Sequence, residues 1–377
     1  MTDSKKGNLK EIAALFFKLG CIAFGGPAAH IAMMEDEIIE KRKWMTREHF
    51  LDLIGATNLI PGPNSTEMTM HCGYERAGFR GLLVAGSCFI FPAVLITGVL
   101  AWLYVEYGSL PEIEPFLKGI QPAVLVIIAS AILKLGKKAI KNTELVIIGL
   151  LVLVASLLGI NEILALLAGG IMGGLYFFLK NRSSSVGIFT PVIIFFLSEN
   201  IVQRLSTLQI FWTFLKVGSI LYGSGYVLFA YLDAELVGNG WLTRPELMEA
   251  IGIGQFTPGP VLSTATFIGY QLGGFWGAIS ATVGIFLPSF LFVLLLNPLI
   301  PRMQKSRILR GFLDSVNVAA VAVMLAVLFV MGKETLLDWR SILITAVCAI
   351  LVFGVKKFSS IWIVVVGLIL GYLLYLL

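Results

Sequence analysis

Two Pro-Gly-Pro triplets, Pro61-Gly62-Pro63 and Pro258-Gly259-Pro260, each cut an apolar run that would otherwise continue as helix. Proline withdraws a backbone donor and pushes the residue before it out of helical geometry, so each triplet forces an unwound stretch. The runs that precede them, 50–60 and 247–256, suit a bilayer. Inside a membrane such a break survives only where protein or a water-filled cavity satisfies the freed backbone. The chain is therefore expected to be an all-α integral membrane protein whose helices are broken at two related places.

The composition agrees. Of 377 residues, 57% are hydrophobic and 14% charged, against roughly a quarter charged in a soluble domain. Stretches 82–104, 144–158 continuing through 161–179, 275–296, 316–331 and 361–377 are apolar. They reach or approach the roughly 20 residues that cross a bilayer as helix. The longest polar stretches, near 35–48 and 233–249, are no longer than connecting loops. The net charge of +5 is scattered and reads as topology, not as a nucleic-acid footprint. Cys21, Cys72, Cys88 and Cys348 lack metal or redox spacing and read as small buried hydrophobes. The first residues carry lysines but no apolar core followed by a small-residue cleavage site, so they read as the start of the mature chain.

The triplets belong to a longer repeat with an offset of about 197 residues. Phe17-Lys18-Leu19-Gly20 and Phe24-Gly25-Gly26-Pro27 match Leu215-Lys216-Val217-Gly218 and Tyr222-Gly223-Ser224-Gly225. Trp44-Met45-Thr46-Arg47 matches Trp241-Leu242-Thr243-Arg244. Gly73-Tyr74, Gly78-Phe79, Gly81 and Pro92 match Gly269-Tyr270, Gly274-Phe275, Gly277 and Pro288. This divides the chain into an N-terminal repeat, 1–185, a linker, 186–206, that is a candidate crossing, and a C-terminal repeat, 207–377. The loop after the first helix containing proline is acidic, with Glu106, Glu112 and Glu114, whereas its equivalent carries Arg302, Lys305, Arg307 and Arg310. One helix later Lys134, Lys137, Lys138 and Lys141 face a mixed counterpart. Basic loops stay cytoplasmic, so the repeats are inverted, a plan common among secondary transporters. A cytoplasmic N-terminus, suited to Lys5, Lys6 and Lys10, requires the first triplet segment to cross and 186–202 to cross as a linker. A re-entrant hairpin would change both inferences, and the count stands at ten to thirteen crossings.

The breaks carry the chemistry. A half-helix starting inside the membrane points its amides and partial positive charge into the gap, which suits an anion. Asn64, Ser65 and Thr66 follow the first triplet, and Ser263 and Thr264, with Thr266, follow the second. These side chains either cap the next helix or also touch a ligand, and their double occurrence favours ligand contact. Gly25-Gly26-Pro27 and Gly223-Ser224-Gly225 thin the first helix of each repeat, for close packing or to line the ligand. Lys18 and Lys216 lie two turns earlier, on an anion pathway or snorkelling to the interface. Glu67 and His71 share a helix face just after the first triplet, while their counterparts Thr264 and Ile268 cannot titrate. That asymmetry makes Glu67, then His71 and His30, candidates for proton coupling or for structural hydrogen bonds. Arg76 and Arg80 sit at a membrane boundary or an entry vestibule.

The strings Phe-Gly-Gly-Pro-Ala-Ala-His-Ile (24–31), Pro-Gly-Pro-Asn-Ser-Thr-Glu (61–67) and Gly-Tyr-x-x-Ala-Gly-Phe (73–79) resemble the chromate ion transporter family. So do Gln-Phe-Thr-Pro-Gly-Pro (255–260) and Gly-Tyr-Gln-Leu-Gly-Gly-Phe (269–275), in that family's second repeat. The resemblance covers essentially the whole chain in the two-repeat form. It implies export of chromate from the bacterial cytoplasm, driven by membrane potential or proton gradient, with sulfate as mimic. It points to Gly25, Gly26, Pro27, Pro61, Gly62 and Pro63 and to their equivalents Gly223, Ser224, Gly225, Pro258, Gly259 and Pro260. The second repeat departs from the first, with Gly-Ser-Gly in place of Gly-Gly-Pro and no histidine after it. Expected partners are the lipid bilayer and a small oxyanion, with a second copy of the chain as a further candidate and no nucleic acid. Neither a cofactor nor a metal nor catalysis is expected. A passive anion channel, or a transporter of another small anion such as sulfate, is the alternative.

Overall fold

The computed structural model describes residues 8–24, 26–180, 205–222, 225–296, 306–355 and 359–376, and all regular structure among them is helical. Each repeat opens with two short helical hairpins. In the first, α1 (Leu9–Ile22) runs inward from a cap by Asn8, and α2 (Pro27–Glu35) returns through a π-helical turn, Asp36–Lys41. The return brings Arg42 and Trp44 beside Glu11, in the first turn of α1. With 14 residues, α1 is about 21 Å long, short of the roughly 30 Å hydrocarbon core. Next α3 (Arg47–Thr57) enters, capped by Thr46, and the chain comes back along the first arm of α4 (Asn64–Tyr107). His49, near the start of α3, lies 3.2 Å from Glu75, near the end of that arm. The Pro-Gly-Pro triplet is thus the tip of a hairpin whose arms open on one face.

α4 doubles back at Ala77-Gly78, where Gly78 has φ 61° and ψ −150°, a conformation side chains avoid. The second arm packs on the first through glycine: a methyl group on Gly73 or Gly81 would strike the other's carbonyl. This arm carries the length and apolar composition that crossing a membrane needs. α5 (Glu114–Ala139) returns, and α6 (Thr143–Leu157) and α7 (Glu162–Lys180) form a hairpin tied at its mouth by Lys180 and Glu144, 2.6 Å apart.

The second repeat copies this. α8 (Thr207–Ile220) runs in, and α9 (Leu228–Leu232) and the π turn Asp233–Val237 run back. α10 (Arg244–Gly254) re-enters, and a 3₁₀ turn, Val261–Ser263, leads into α11 (Thr264–Leu296). α11 doubles back at Gly273-Gly274, the latter with φ 60° and ψ −150°. α12 (Arg307–Thr335), α13 (Trp339–Gly354) and α14 (Ser360–Tyr375) follow.

The crossing arms fix the relative direction of the two repeats. The second arm of α4 has Ala93 against Gly259, Thr97 against Ser263 and Tyr104 against Phe267, so it climbs toward the mouth of the second repeat's hairpin. The second arm of α11 passes Gly62 at Ser289 and Gly86 at Phe290, in the opposite direction. The hairpins therefore open on opposite faces, as inverted repeats require. The long helices are exchanged: α5 packs on α13 and α14 of the other repeat, and α12 on α6 and α7. Small residues permit it, Gly119 meeting Gly367 and Gly371, and Gly173 meeting Ser315.

Five of the described helices are long and apolar enough to cross a membrane. Large apolar side chains cover the outside, among them Leu95, Trp102, Trp276, Ile350 and Trp362, an exposure that suits lipid and not water. The start of α1, the basic end of α5 with Lys134, Lys137, Lys138 and Lys141, and the mouth of the α6–α7 hairpin share one face, cytoplasmic by its charge. α8 starts at the opposite face, with Ile210 beside Gly273 and Gly277. Re-entry thus leaves the start of α1 on the basic side, because two hairpins precede the first crossing arm. Of the expected linker, 186–206, all but Leu205 and Ser206 lies outside the described residues.

Candidate functional site

The hairpin tips of the two repeats meet inside the molecule. The amide of Gly62 donates to the carbonyl of Leu221 at 2.6 Å, and the amide of Gly259 donates to that of Ala23 at 2.8 Å. Ala23 and Leu221 are the residues that end α1 and α8. Each triplet is therefore fastened to the opened helix end of the other repeat. Gly62 has φ 142° and Gly259 φ 88°, which only glycine adopts cheaply.

Helices that start at these tips lack the caps that their neighbours carry. Asn8, Thr46, Ser206, Thr243, Ser306 and Asp338 each cap a helix at an outer face with a side-chain oxygen. At the tips the capping positions are Gly26, Pro63, Val227 and Pro260, and none supplies a side-chain bond. Among the described residues the amides of Asn64 and Ser65 have no acceptor. Four helix N-termini thus bring their positive ends toward the contact between the repeats.

The side chains around the tips are less symmetric than the backbone. In the second repeat Ser263 is engaged by Thr97 at 3.3 Å and by Thr257 at 3.4 Å, and Thr264 donates to the carbonyl of Val261. In the first, Thr66, Glu67 and His71 are fully buried, and Thr66 Oγ1, both Glu67 oxygens and both His71 nitrogens have no hydrogen-bond partner. Position explains part of this: the repeat equivalent of Thr97 is Val293, which cannot reach out to Thr66. Ser289 Oγ is also buried without a partner, beside the Glu67 carboxyl. A methyl group on Gly62 would collide with Glu67 Oε1 and sit 2.6 Å from Ser289 Oγ. His30 is buried too, but both its nitrogens are used: Nε2 donates to the carbonyl of Ala23 at 3.0 Å, and Nδ1 pairs with Ser65 Oγ at 3.2 Å. His30 therefore links the first hairpin tip to the second, at the carbonyl that also receives Gly259.

Other expected residues fall elsewhere. Lys18 lies 3.0 Å from Glu37 and Lys216 lies 2.6 Å from Glu235, so each ammonium is held by a glutamate on the returning arm of its own hairpin. Pro27, Pro61 and Pro258 shape the tips without offering a donor. Gly225 begins the turn into α9, packed on Val261 and Leu262. Gly25, Gly223 and Ser224 lie outside the described residues. Arg76 reaches Glu11 at 3.5 Å and covers Trp44, a structural placement at the cytoplasmic face.

The family model for chromate transporters matches residues 10–174 and again residues 208–372. The chain belongs to the chromate transporter family. It is 30% identical to a chromate transport protein of Cupriavidus metallidurans, over 97% of this chain and 93% of the relative. It is 29% identical to a probable chromate transport protein of Synechococcus elongatus, over 97% and 95%. An uncharacterized transporter of Bacillus subtilis, 25% identical, matches 42% of this chain over 92% of its own length, which is the size of one repeat. No solved structure matches the chain.

In this chromate transporter family member two cavities adjoin the tips. The larger, about 130 Å³, lies between the first triplet's hairpin and the ends of α5 and α12, and is lined by Asn58, Asn64, Lys138, Asp314 and Asn317 among others. A smaller one, about 20 Å³, lies against Gly26, Gln255 and Ser360. Among the described residues no group of three metal-ligating side chains is gathered. Sequence reasoning missed Ser289, whose one visible signal is that it replaces Ala93 beside the repeated proline. It also missed the glutamates that hold Lys18 and Lys216, although the same 19-residue spacing occurs in both repeats.

Proposed function

We propose that this protein exports a tetrahedral oxyanion, chromate above all and sulfate as its mimic, and that a proton or the membrane potential drives it. The observation that carries this reading is the meeting of uncapped helix N-termini at the reciprocal Gly62–Leu221 and Gly259–Ala23 bonds. Backbone amides there replace the hydration of a dianion without needing a buried lysine, and both lysines once expected to help are already paired. Asn64 and Thr66, in the first turn of one of those helices, keep unspent side-chain donors, whereas Ser65, Ser263 and Thr264 spend their hydroxyl protons on His30, Thr257 and the carbonyl of Val261. The relatives named as chromate transport proteins support the choice of substrate.

Glu67 is the residue proposed to carry the coupling proton. A buried carboxylate with no hydrogen-bond partner and no ion pair among the described residues is costly inside a membrane, and a proton removes that cost. His71, one turn away, is the next relay position, and His30 conveys the state of the first tip to the second through Ala23. The test is flux of radiolabelled chromate into inverted vesicles with and without an imposed proton gradient. Accumulation that follows the gradient and is blunted by sulfate supports the carrier. Downhill flux alone points to a passive channel, and no flux removes chromate as substrate.

A further inference from the structure

The cavity beneath the first triplet has a composition that the transport reading does not by itself require. It holds one carboxylate, Asp314, and Lys141 lies 2.6 Å from it, so that charge is cancelled. Lys138 lines the same space and has no carboxylate partner among the described residues. Asn317 makes no side-chain hydrogen bond there, and Asn64 spends one N–H on Asn58 Oδ1 at 2.8 Å and keeps the other. The unmatched amides of Asn64 and Ser65 open the adjoining helix. Among the described residues the lining therefore offers a free ammonium, unspent amide N–H groups of Asn64 and Asn317 and a helix N-terminus, with no uncompensated negative charge. That donor set fits a tetrahedral oxyanion and repels nothing but cations.

The other repeat lacks it. Around the equivalent space, Lys138 corresponds to Glu334, Asp314 to Lys118, Asn317 to Gln121, Asn64 to Val261 and Asn58 to Gln255, whose buried Nε2 is the one donor left without a partner among these described residues. Glu334 is held by Arg244. Gln121 is spent on the buried Glu249, which also accepts from Tyr104 at 2.6 Å. One face thus offers donors to an anion, while its counterpart presents a glutamate whose donors are already used. Because the basic ends of α5 mark the first face as cytoplasmic, the difference has a direction.

We propose that Lys138, Asn317, Asn64 and Asn58 form a cytoplasmic loading site for an oxyanion dianion, in series with the hairpin tips and absent from the opposite face. This rests on the reading of the protein as an oxyanion exporter. In full-length protein reconstituted with known orientation, Lys138→Gln should raise the KM for chromate presented at the cytoplasmic face roughly fivefold, the size of one partly exposed charge contact. Lys138→Arg should restore it. Asp314→Asn, which frees Lys141, should lower the same KM, a gain that a merely structural role does not give. Lys333→Gln, on the other face, is the control and should change nothing. A wild-type chain that moves chromate while Lys138→Gln and Asp314→Asn keep its cytoplasmic KM overturns the loading site and leaves the exporter standing. A wild-type chain that neither binds nor moves chromate or sulfate overturns both.

Discussion

Glu67 is buried against Gly62, a residue of its own hairpin tip, and Ser289, a residue of the other repeat. Its neutral isostere keeps the packing and loses the titration. Glu67→Gln should therefore flatten the pH dependence of chromate flux while leaving sulfate binding within about twofold, as read by flux across a pH series and by equilibrium binding. A pH profile that stays intact in this variant excludes Glu67 as the proton carrier. Gly62→Ala should do more damage, because the new methyl must displace both the carboxyl and the serine; overpacking of this kind costs about 1–3 kcal/mol and a thermal melt will show it. Glu37 makes a separate pH argument at the cytoplasmic face. Burial pushes its carboxyl up, but bonds from Lys18, Arg42 and Lys41 outweigh that and hold it down at about 2. Its contribution to stability is present above the ordinary 4.5 and is lost as pH falls from there toward 2. In acid melts, Glu37→Gln should lose the part of the pH slope that lies in that window. At this scale the sequence displayed Glu67, His71 and the triplets but not Ser289, because a single serine in an apolar helix carries no local pattern. The pairing of Lys18 with Glu37 was equally hidden, since it depends on α2 folding back along α1.

At the scale of elements, the re-entrant hairpins and the doubled helices are one device. A chain that must enter, turn on Pro-Gly-Pro, leave, and then cross needs a tight reversal before the crossing arm. Ala77-Gly78 and Gly273-Gly274 supply it, with backbone angles that agree to within a few degrees. The arms can approach only because Gly73 faces Gly81 and Gly269 faces Gly277. Gly81→Val or Gly277→Val sets a side chain against backbone that cannot yield, and either should abolish monodisperse protein in detergent, checked by size-exclusion chromatography. An intact elution profile for both would mean that the arms are not packed as described. The repeat was plain in the sequence, and 275–296 begins where the kink ends. Whether the triplets cross or re-enter was not legible, because apolar length looks the same for a hairpin arm and for part of a span. The contact between His49 and Glu75, which shows the two arms side by side, is a matter of direction, which periodicity does not encode.

At the scale of the molecule, the two repeats share the main core, beside a smaller one that lies within the first. α5 lies on α13 and α14, and α12 on α6 and α7, so each repeat encloses the other's longest buried helix. The prediction is that residues 1–185 and 186–377 made as separate chains remain soluble in detergent only when produced together, and then elute as a one-to-one complex. A monodisperse single repeat would contradict the exchange of helices. The inverted plan was legible from loop charge alone, because lysines and acids alternate faces. The exchange was not, since it depends on which apolar faces meet.

The reciprocal bonds between the tips have a consequence for energy levels. Were the repeats identical, turning the molecule over would convert its inward-open arrangement into its outward-open one, and the two would be equally populated whatever lay between them. Only the residues that break the likeness can bias that balance, and three such pairs stand where the tips meet: Glu67 against Thr264, Ser289 against Ala93, His30 against Leu228. All six lie at or beside the tips and are buried. A backbone alike in both repeats would make the two states degenerate, and unlike side chains at the tips, drawn from both repeats, would lift the degeneracy. For the exporter proposed above that is the economical place to keep its asymmetry, since a substitution there would shift the resting orientation without rebuilding the path of the anion.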